Sequence, residues 1–312
     1  MRRLLLERLL WLVPTLVLAT FGIFWLIHLA PGDPAITLAG ENATARQIET
    51  IRDELGLNQP FLVQYWHWLT HAVSGNLGTS LNTRQSVASA IGAALPTTLQ
   101  LVVGGLLVAA ILGTVAGVVS ARRANTATDA VVSSLSSAGA AIPSFWLGLV
   151  LVSVFALGTR WFPATGFVSI TSNPGQALKH LVLPSIALGV SGAAEIARQL
   201  RAVLIEILAS DHIRTLRAKG LSERRIVWRH ALKGATVPLM TIIGLQVSRF
   251  IGAAVVVEAV FGISGIGTLV VGAAQNQDYP VVEGVVLVMA LIVIVVNFAV
   301  DVSYRLFDPR IR

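Results

Sequence analysis

Residues 214–238 read RTLRAKGLSERRIVWRHALKGATVP, with seven Lys and Arg (Arg214, Arg217, Lys219, Arg224, Arg225, Arg229, Lys233) against one carboxylate, Glu223. Long apolar runs flank this stretch on both sides. A charge held at a helix centre in hydrocarbon costs roughly 2.5–3.5 kcal/mol, so burying all seven would cost on the order of 20 kcal/mol. The stretch therefore lies in water, and the runs beside it are the segments that enter the bilayer.

Working outward, the 312-residue chain is 54% hydrophobic and only 12% charged, with a mean hydropathy of +0.75. A soluble domain carries about twice that share of charge. Runs of roughly 20 apolar residues recur, continuous rather than alternating, which predicts an all-α integral membrane protein and excludes a lipid-facing barrel. Six spans are expected, near 9–30, 96–120, 131–157, 181–200, 237–260 and 282–304. The run at 9–30 exceeds the roughly 7–15 apolar residues of a secretory signal, so it is expected to be a retained first span. The net charge of +7 does not call for nucleic acid. With the N-terminus inside, 17 of the 23 Lys and Arg fall in cytoplasmic segments and five outside, which places both termini and residues 214–238 in the cytoplasm. No cysteine is present, which excludes disulfides and thiolate metal sites.

The chain reads as three regions: a tail and first span (1–30), an extracytoplasmic segment (31–95), and a core of five spans (96–312) with a loop at about 206–236. The extracytoplasmic segment reads as a small cap of two short amphipathic helices joined at GLNQP, with Tyr65, Trp66 and Trp68 suited to the headgroup layer. Small residues crowd the spans, as in VVGGLLVAAILGTVAGVVSA, and allow helix backbones to approach closely. Pro14, Pro143 and Pro184 are expected to kink spans, whereas Pro96 and Pro238 are expected to mark their starts.

Locally, the quoted stretch resolves into two helices. Ser210 or Asp211 caps the first, Arg217 and Lys219 sit in its last turn, and Gly220 stops it. Ser222 caps the second, which continues until Pro238 opens the next span. Cations that anchor the loop to anionic lipid at about 1 kcal/mol each account for the charge; a docking helix that takes force from a cytosolic partner accounts for both charge and structure.

The stretch resembles the cytoplasmic coupling loop of ABC-importer permeases, in the form carried by dipeptide, oligopeptide and nickel permeases. HLAPGDPA (28–35), LGLNQPFLVQYWHWL (55–69), GNLGTS (75–80), LPTTLQL (95–101), AIPSFWLGLVL (141–151), QDYPVVEG (277–284) and the C-terminal DPRIR fall in the same order and spacing, so the resemblance covers nearly the whole chain. Arg214, Thr215 and Leu216 replace the Glu-Ala-Ala of the general loop, and Ser264 in FGISGIG stands where the family often has proline. The resemblance implies a type I-like permease bundle, the first of two permease subunits in a prokaryotic inner-membrane importer of dipeptides or short oligopeptides, with nickel, haem or glutathione as alternative cargoes. It further implies a homologous second permease forming a heterodimer, an extracytoplasmic binding protein, and two cytosolic ATPase subunits that bind ATP and Mg²⁺. Asp211, Arg214, Thr215, Arg217, Ala218, Lys219, Gly220, Leu221 and Ser222 would carry the coupling. No phosphate-loop motif and no cofactor site is found in this chain, so ATP chemistry belongs to the partners.

Of the remaining polar residues, Glu195 is expected to pair locally with Arg198 and Gln199, and Asn297, Asp301 and Arg305 to form a second local stripe. Arg249 falls mid-span and faces either the translocation pathway or the partner permease, and its helix mate Glu258 lies on the opposite face. His67 and His71, four apart, suit interfacial packing better than a metal, since no acidic or thiolate ligand is near. No Ser/His/Asp or paired-Asp constellation supports an intramembrane enzyme, and an autonomous secondary transporter would need coupling residues beyond Arg249 and Glu195.

Overall fold

The computed structural model describes residues 2–29, 33–40 and 43–307. The DPRIR motif, residues 30–32 of HLAPGDPA, and the side chains of Arg2, Arg3, Arg8, Asp301 and Arg305 fall outside what it describes.

Helices make up the regular structure of the described residues, apart from one isolated bridge between Thr79 and Ser86. In chain order they are α1 (Arg2–Leu29), α2 (Pro34–Ala39), α3 (Ala45–Glu54), α4 (Phe61–Val73), α5 (Val87–Arg122), α6 (Ala127–Ala141), α7 (Ser144–Leu151) continued by a π-helical Val152–Gly158, and α8 (Pro174–Ala209). They continue with α9 (Asp211–Ala218), α10 (Glu223–Arg225), a π-helical Ile226–Ala231, α11 (Leu232–Gly234), α12 (Thr236–Phe261), α13 (Ile266–Gln275) and α14 (Tyr279–Phe307). Four of these are long and apolar enough to cross a bilayer among the described residues: α5, α8, α12 and Tyr279–Val300 of α14. The predicted span at 9–30 coincides with α1, whose apolar stretch is Val13–Leu29.

Three sequence expectations are corrected. The span predicted at 131–157 is two segments bent by 100°. Ile142 is extended at φ −77°, ψ 122°, and Pro143 caps α7, because a residue before proline is driven out of the helical region and proline has no N–H to give. Pro96 does not open its span: α5 starts at Val87 and carries Pro96 inside it. Nor was α13 expected. Its ten residues cover only about 15 Å at 1.5 Å per residue, too short for a crossing pattern.

The described chain divides into two compact units, Met1–Thr97 with Ser264–Ile294, and Thr98–Ile263 with Val295–Arg312. In the first, the two expected cap helices are α3 and α4, preceded by the unforeseen α2. Thr44 and Gln47 form a capping box on α3. Asp33 caps α2 through Ala35 N–H at 2.9 Å and also accepts from Arg52, which ties α2 to α3. Tyr65 packs against α1: it is 7% exposed, its hydroxyl lies 3.0 Å from Thr20 Oγ1, and its ring meets Phe21 edge-on at 5.3 Å. Trp66 is exposed. Two distant motifs meet in this unit. Asp278 of QDYPVVEG accepts from Ser80 Oγ of GNLGTS, and also from Leu81 N–H at 3.0 Å and Asn82 N–H at 3.5 Å.

In the second unit α5 and α8 approach within backbone contact. A Cβ built on Gly113 would meet Ala193 O and Ile196 Cβ at 2.7 Å, and one on Gly189 would meet Gly105 O at 2.6 Å. Close approach of this kind is what the small-residue pattern predicts. Near the far end of the same pair, Asp129 of α6 is 6% exposed and accepts from Arg201 of α8 in a two-pronged pair at 2.7 and 2.6 Å, with Ser120 of α5 and Asn125 N–H adding further bonds. In the sequence Arg201 is one of several loop cations and Asp129 a lone acid, 72 positions apart, so nothing local signals the pair.

Candidate functional site

Between α8 and α12 the chain forms an elbow. Ser210 separates α8 from α9 with extended backbone, φ −71° and ψ 156°, and its hydroxyl bonds Ile207 O and His212 Nδ1 rather than a helix amide. Neither Ser210 nor Ser222 makes the expected side-chain cap. The stop at Gly220 is formed as the sequence predicts. With φ +77°, Gly220 donates its N–H to Arg217 O at 2.9 Å, and Leu221 N–H reaches Leu216 O at 3.2 Å, the paired bonds of a Schellman motif. Nothing lies within 4 Å of a Cβ placed there, so glycine is required by backbone conformation and not by space.

Arg217 holds the turn closed. Its Nε donates to Glu223 Oε1 at 2.7 Å, Nη2 to Oε2 at 3.4 Å, and Nη1 to Leu208 O at 3.3 Å, so one guanidinium links the end of α8, α9 and the start of α10. That hydrogen bond holds the Glu223 carboxyl below the usual range, with a smaller pull from Arg122. On the inner side Ile213, Ile226, Val227 and Ala231 are fully buried; Val227 and Ala231 join Val118 and Ala121 of α5 and Leu200 and Leu204 of α8 in one apolar cluster. The helix after Ser222 is not the regular one expected: residues 226–231 wind as a π-helix between α10 and α11.

The outer face is what remains. Asp211, Arg214, Thr215, Ala218, Lys219, Gly220 and Ser222 are exposed, with Arg214 held by Asp211 at 3.1 Å, while Leu221 is half-buried. The predicted coupling residues are therefore brought together, but they separate into an outward set and one half-exposed staple across the turn, Arg217. Sequence spacing showed the glycine; it gave no sign that Arg217 bonds across the turn.

Glu195 bonds Arg198 and Gln199 as expected. Arg249 is exposed on α12 and makes no hydrogen bond or ion pair among the described residues, while Glu258 is fully buried and accepts from Thr98 Oγ1 at 2.6 Å. Ser264 lies between two helix ends. Gly262 closes α12 in left-handed backbone, and Gly265, which opens α13, donates its N–H to Thr268 Oγ1 at 3.0 Å.

Membrane-length helices packed through glycines thus carry a basic elbow whose outer face is free of the bundle. The chain belongs to the binding-protein-dependent transport system inner membrane component family, whose model matches residues 113–312, and the N-terminal model of the same membrane components matches residues 1–102. It is 38% identical, over 99% of its length and 98% of the relative's, to a probable peptide ABC transporter permease protein, y4tP, of Sinorhizobium fredii. It is also 38% identical to the glutathione transport system permease protein GsiC of Escherichia coli strain K12, over 98% and 97% of the two chains. Its fold matches two inward-facing crystal forms of the MetNI methionine ABC transporter, with TM-scores of 0.56 and 0.59 at 20% and 18% identity, covering 70% of this chain and 96% of those. The chain is a multi-pass permease subunit of an ABC importer and works within a complex that includes ATPase and other subunits.

Proposed function

We propose that this chain is the first of two permease subunits in an importer of dipeptides or short oligopeptides, and that the elbow carries the stroke of ATP hydrolysis into the bundle. Both termini and the elbow face the cytoplasm, in line with the bias of 17 cations to five. Two ATPase subunits, binding ATP and Mg²⁺, grip the elbows of this chain and of a homologous second permease, and an extracytoplasmic binding protein delivers cargo. The outward residues Asp211, Arg214, Thr215, Ala218, Lys219 and Ser222 make the contact; Gly220, Leu221 and Arg217 keep the elbow stiff enough to move the bundle. Arg249, without an ionic partner among the described residues, meets the second permease or a cargo carboxylate.

The rigid turn carries the coupling role: an elbow locked by a Schellman pair and a three-way guanidinium, and buried on one face only, transmits a push instead of absorbing it. For cargo, the peptide and glutathione permeases among its relatives both have peptide-bonded substrates, glutathione being a tripeptide, which favours peptides over nickel or haem. ATP-dependent uptake by the assembled complex in proteoliposomes tests both. Labelled dipeptide uptake competed by unlabelled peptides, and not by nickel or haem, is the expected pattern; competition by nickel alone overturns the substrate class. Uptake that persists without ATPase subunits overturns the coupling role.

A further inference from the structure

The first unit contains a cavity of about 420 Å³ walled by α1, α4, the link between α3 and α4, and the start of α14. Glu283 of α14 lines it, is 5% exposed, and forms no hydrogen bond or ion pair among the described residues. A buried carboxylate without a partner is costly to ionise, so its place on a cavity wall suits a complementary charge. Asp53 and Glu54 line the same cavity and no Lys or Arg does, so the wall is acidic as a whole. Two of its three histidines are already bonded: His28 lies with Nδ1 2.8 Å from Phe24 O and Nε2 3.2 Å from Gln64 Oε1, and His71 Nδ1 is 2.7 Å from His67 O. Phe24, Trp68 and Tyr279 add aromatic rings, the surface that attracts an organic cation through its π-face. An inorganic divalent ion fits less well, because no three His, Asp or Glu among the described residues converge as metal ligands.

We propose that this cavity binds a primary ammonium group, with the Glu283 carboxylate as its counter-charge and the aromatic wall as its lining. That the ammonium is the amino terminus of a peptide in transit rests on the substrate class proposed above. The cavity then selects for a free amino end independently of any choice made by a binding protein.

Calorimetric titration of the full chain, purified with its partner permease and ATPase subunits but without the binding protein, tests this. The probes are alanyl-alanine amide, its N-acetyl derivative, and propylamine. Binding of alanyl-alanine amide at least tenfold tighter than of the acetylated form, with propylamine competing and E283Q losing the preference, is expected. Equal binding of the free and acetylated probes overturns the site, as does an unchanged preference in an assembled E283Q complex. If E283Q fails to assemble, the ratio between the two probes on the unmodified complex decides alone. Ammonium binding in a complex that transports no peptide leaves the cavity assignment standing and removes the peptide reading; peptide transport with no amine preference does the reverse.

Discussion

At the scale of single residues, the elbow separates conformation from contact. Gly220 sits at φ +77° with open space around it, so a bulky side chain meets no wall and still strains the backbone. Gly220→Val is expected to lower ATP-dependent uptake at least tenfold with assembly retained, whereas Gly220→Asn, which tolerates left-handed backbone, stays within about twofold; equal uptake by both removes the need for a sharp turn. Glu223 is a second test. Its depressed pKa means that the contact with Arg217 stabilises the elbow above the ordinary carboxylate range and is lost as pH falls through the folded-state value. Both side chains are about half exposed and screened, so the effect is local: amide protection across the turn, taken relative to the intrinsic exchange rate at each pH, should fall on acidification, and Glu223→Gln should show the lowered protection already at neutral pH. Glycine was legible from the sequence because one residue type answers one backbone need. The role of Arg217 was not, since any of seven neighbouring cations has the same charge and only the folded turn selects which one reaches both Glu223 and Leu208 O.

Among elements, the tightest crossing is that of α5 on α8. Gly113→Ala would push a methyl into Ala193 O and Ile196, and is expected to cost about 1–3 kcal/mol, seen as a lower thermal midpoint in detergent. Gly92→Ala, on the same helix with nothing within 4 Å, should be neutral or gain about 0.5–1 kcal/mol. Arg201→Met leaves the Asp129 carboxylate without its guanidinium and is expected to lower the thermal midpoint, most of the loss being regained in the double variant with Asp129→Asn. A strict sum of the two single effects would show that the groups do not interact. Hydropathy located these helices but not their ends: α5 and α8 both begin before their apolar cores, through amphipathic turns that a search for apolar runs passes over. The bend at residues 142–143 escaped for a different reason, since a proline in an apolar run permits a kinked crossing as readily as a 100° break, and only packing decides.

For the molecule as a whole, the order of motifs along the chain predicted the family and the helical class, while the contacts between motifs had to come from the fold. GNLGTS and QDYPVVEG are nearly 200 positions apart and meet at Asp278. Topology has a clean test because the chain has no cysteine of its own. A single Thr215→Cys should react with a membrane-impermeant maleimide only in inverted vesicles or after permeabilisation; reaction in intact cells would place the elbow outside and overturn its attachment to cytosolic ATPases.

The π-helical Ile226–Ala231 lies between the elbow and α12. Such a segment holds one surplus residue relative to ordinary winding. Excising that residue, for instance the half-exposed Trp228, would let the stretch rewind as α-helix with the elbow still in phase with α12, because the wide turn takes up the extra residue locally; a one-residue deletion from regular winding would instead rotate the elbow by about 100° around the helix axis. The chain thus carries slack at that point, one residue that can be lost there without turning the elbow against α12.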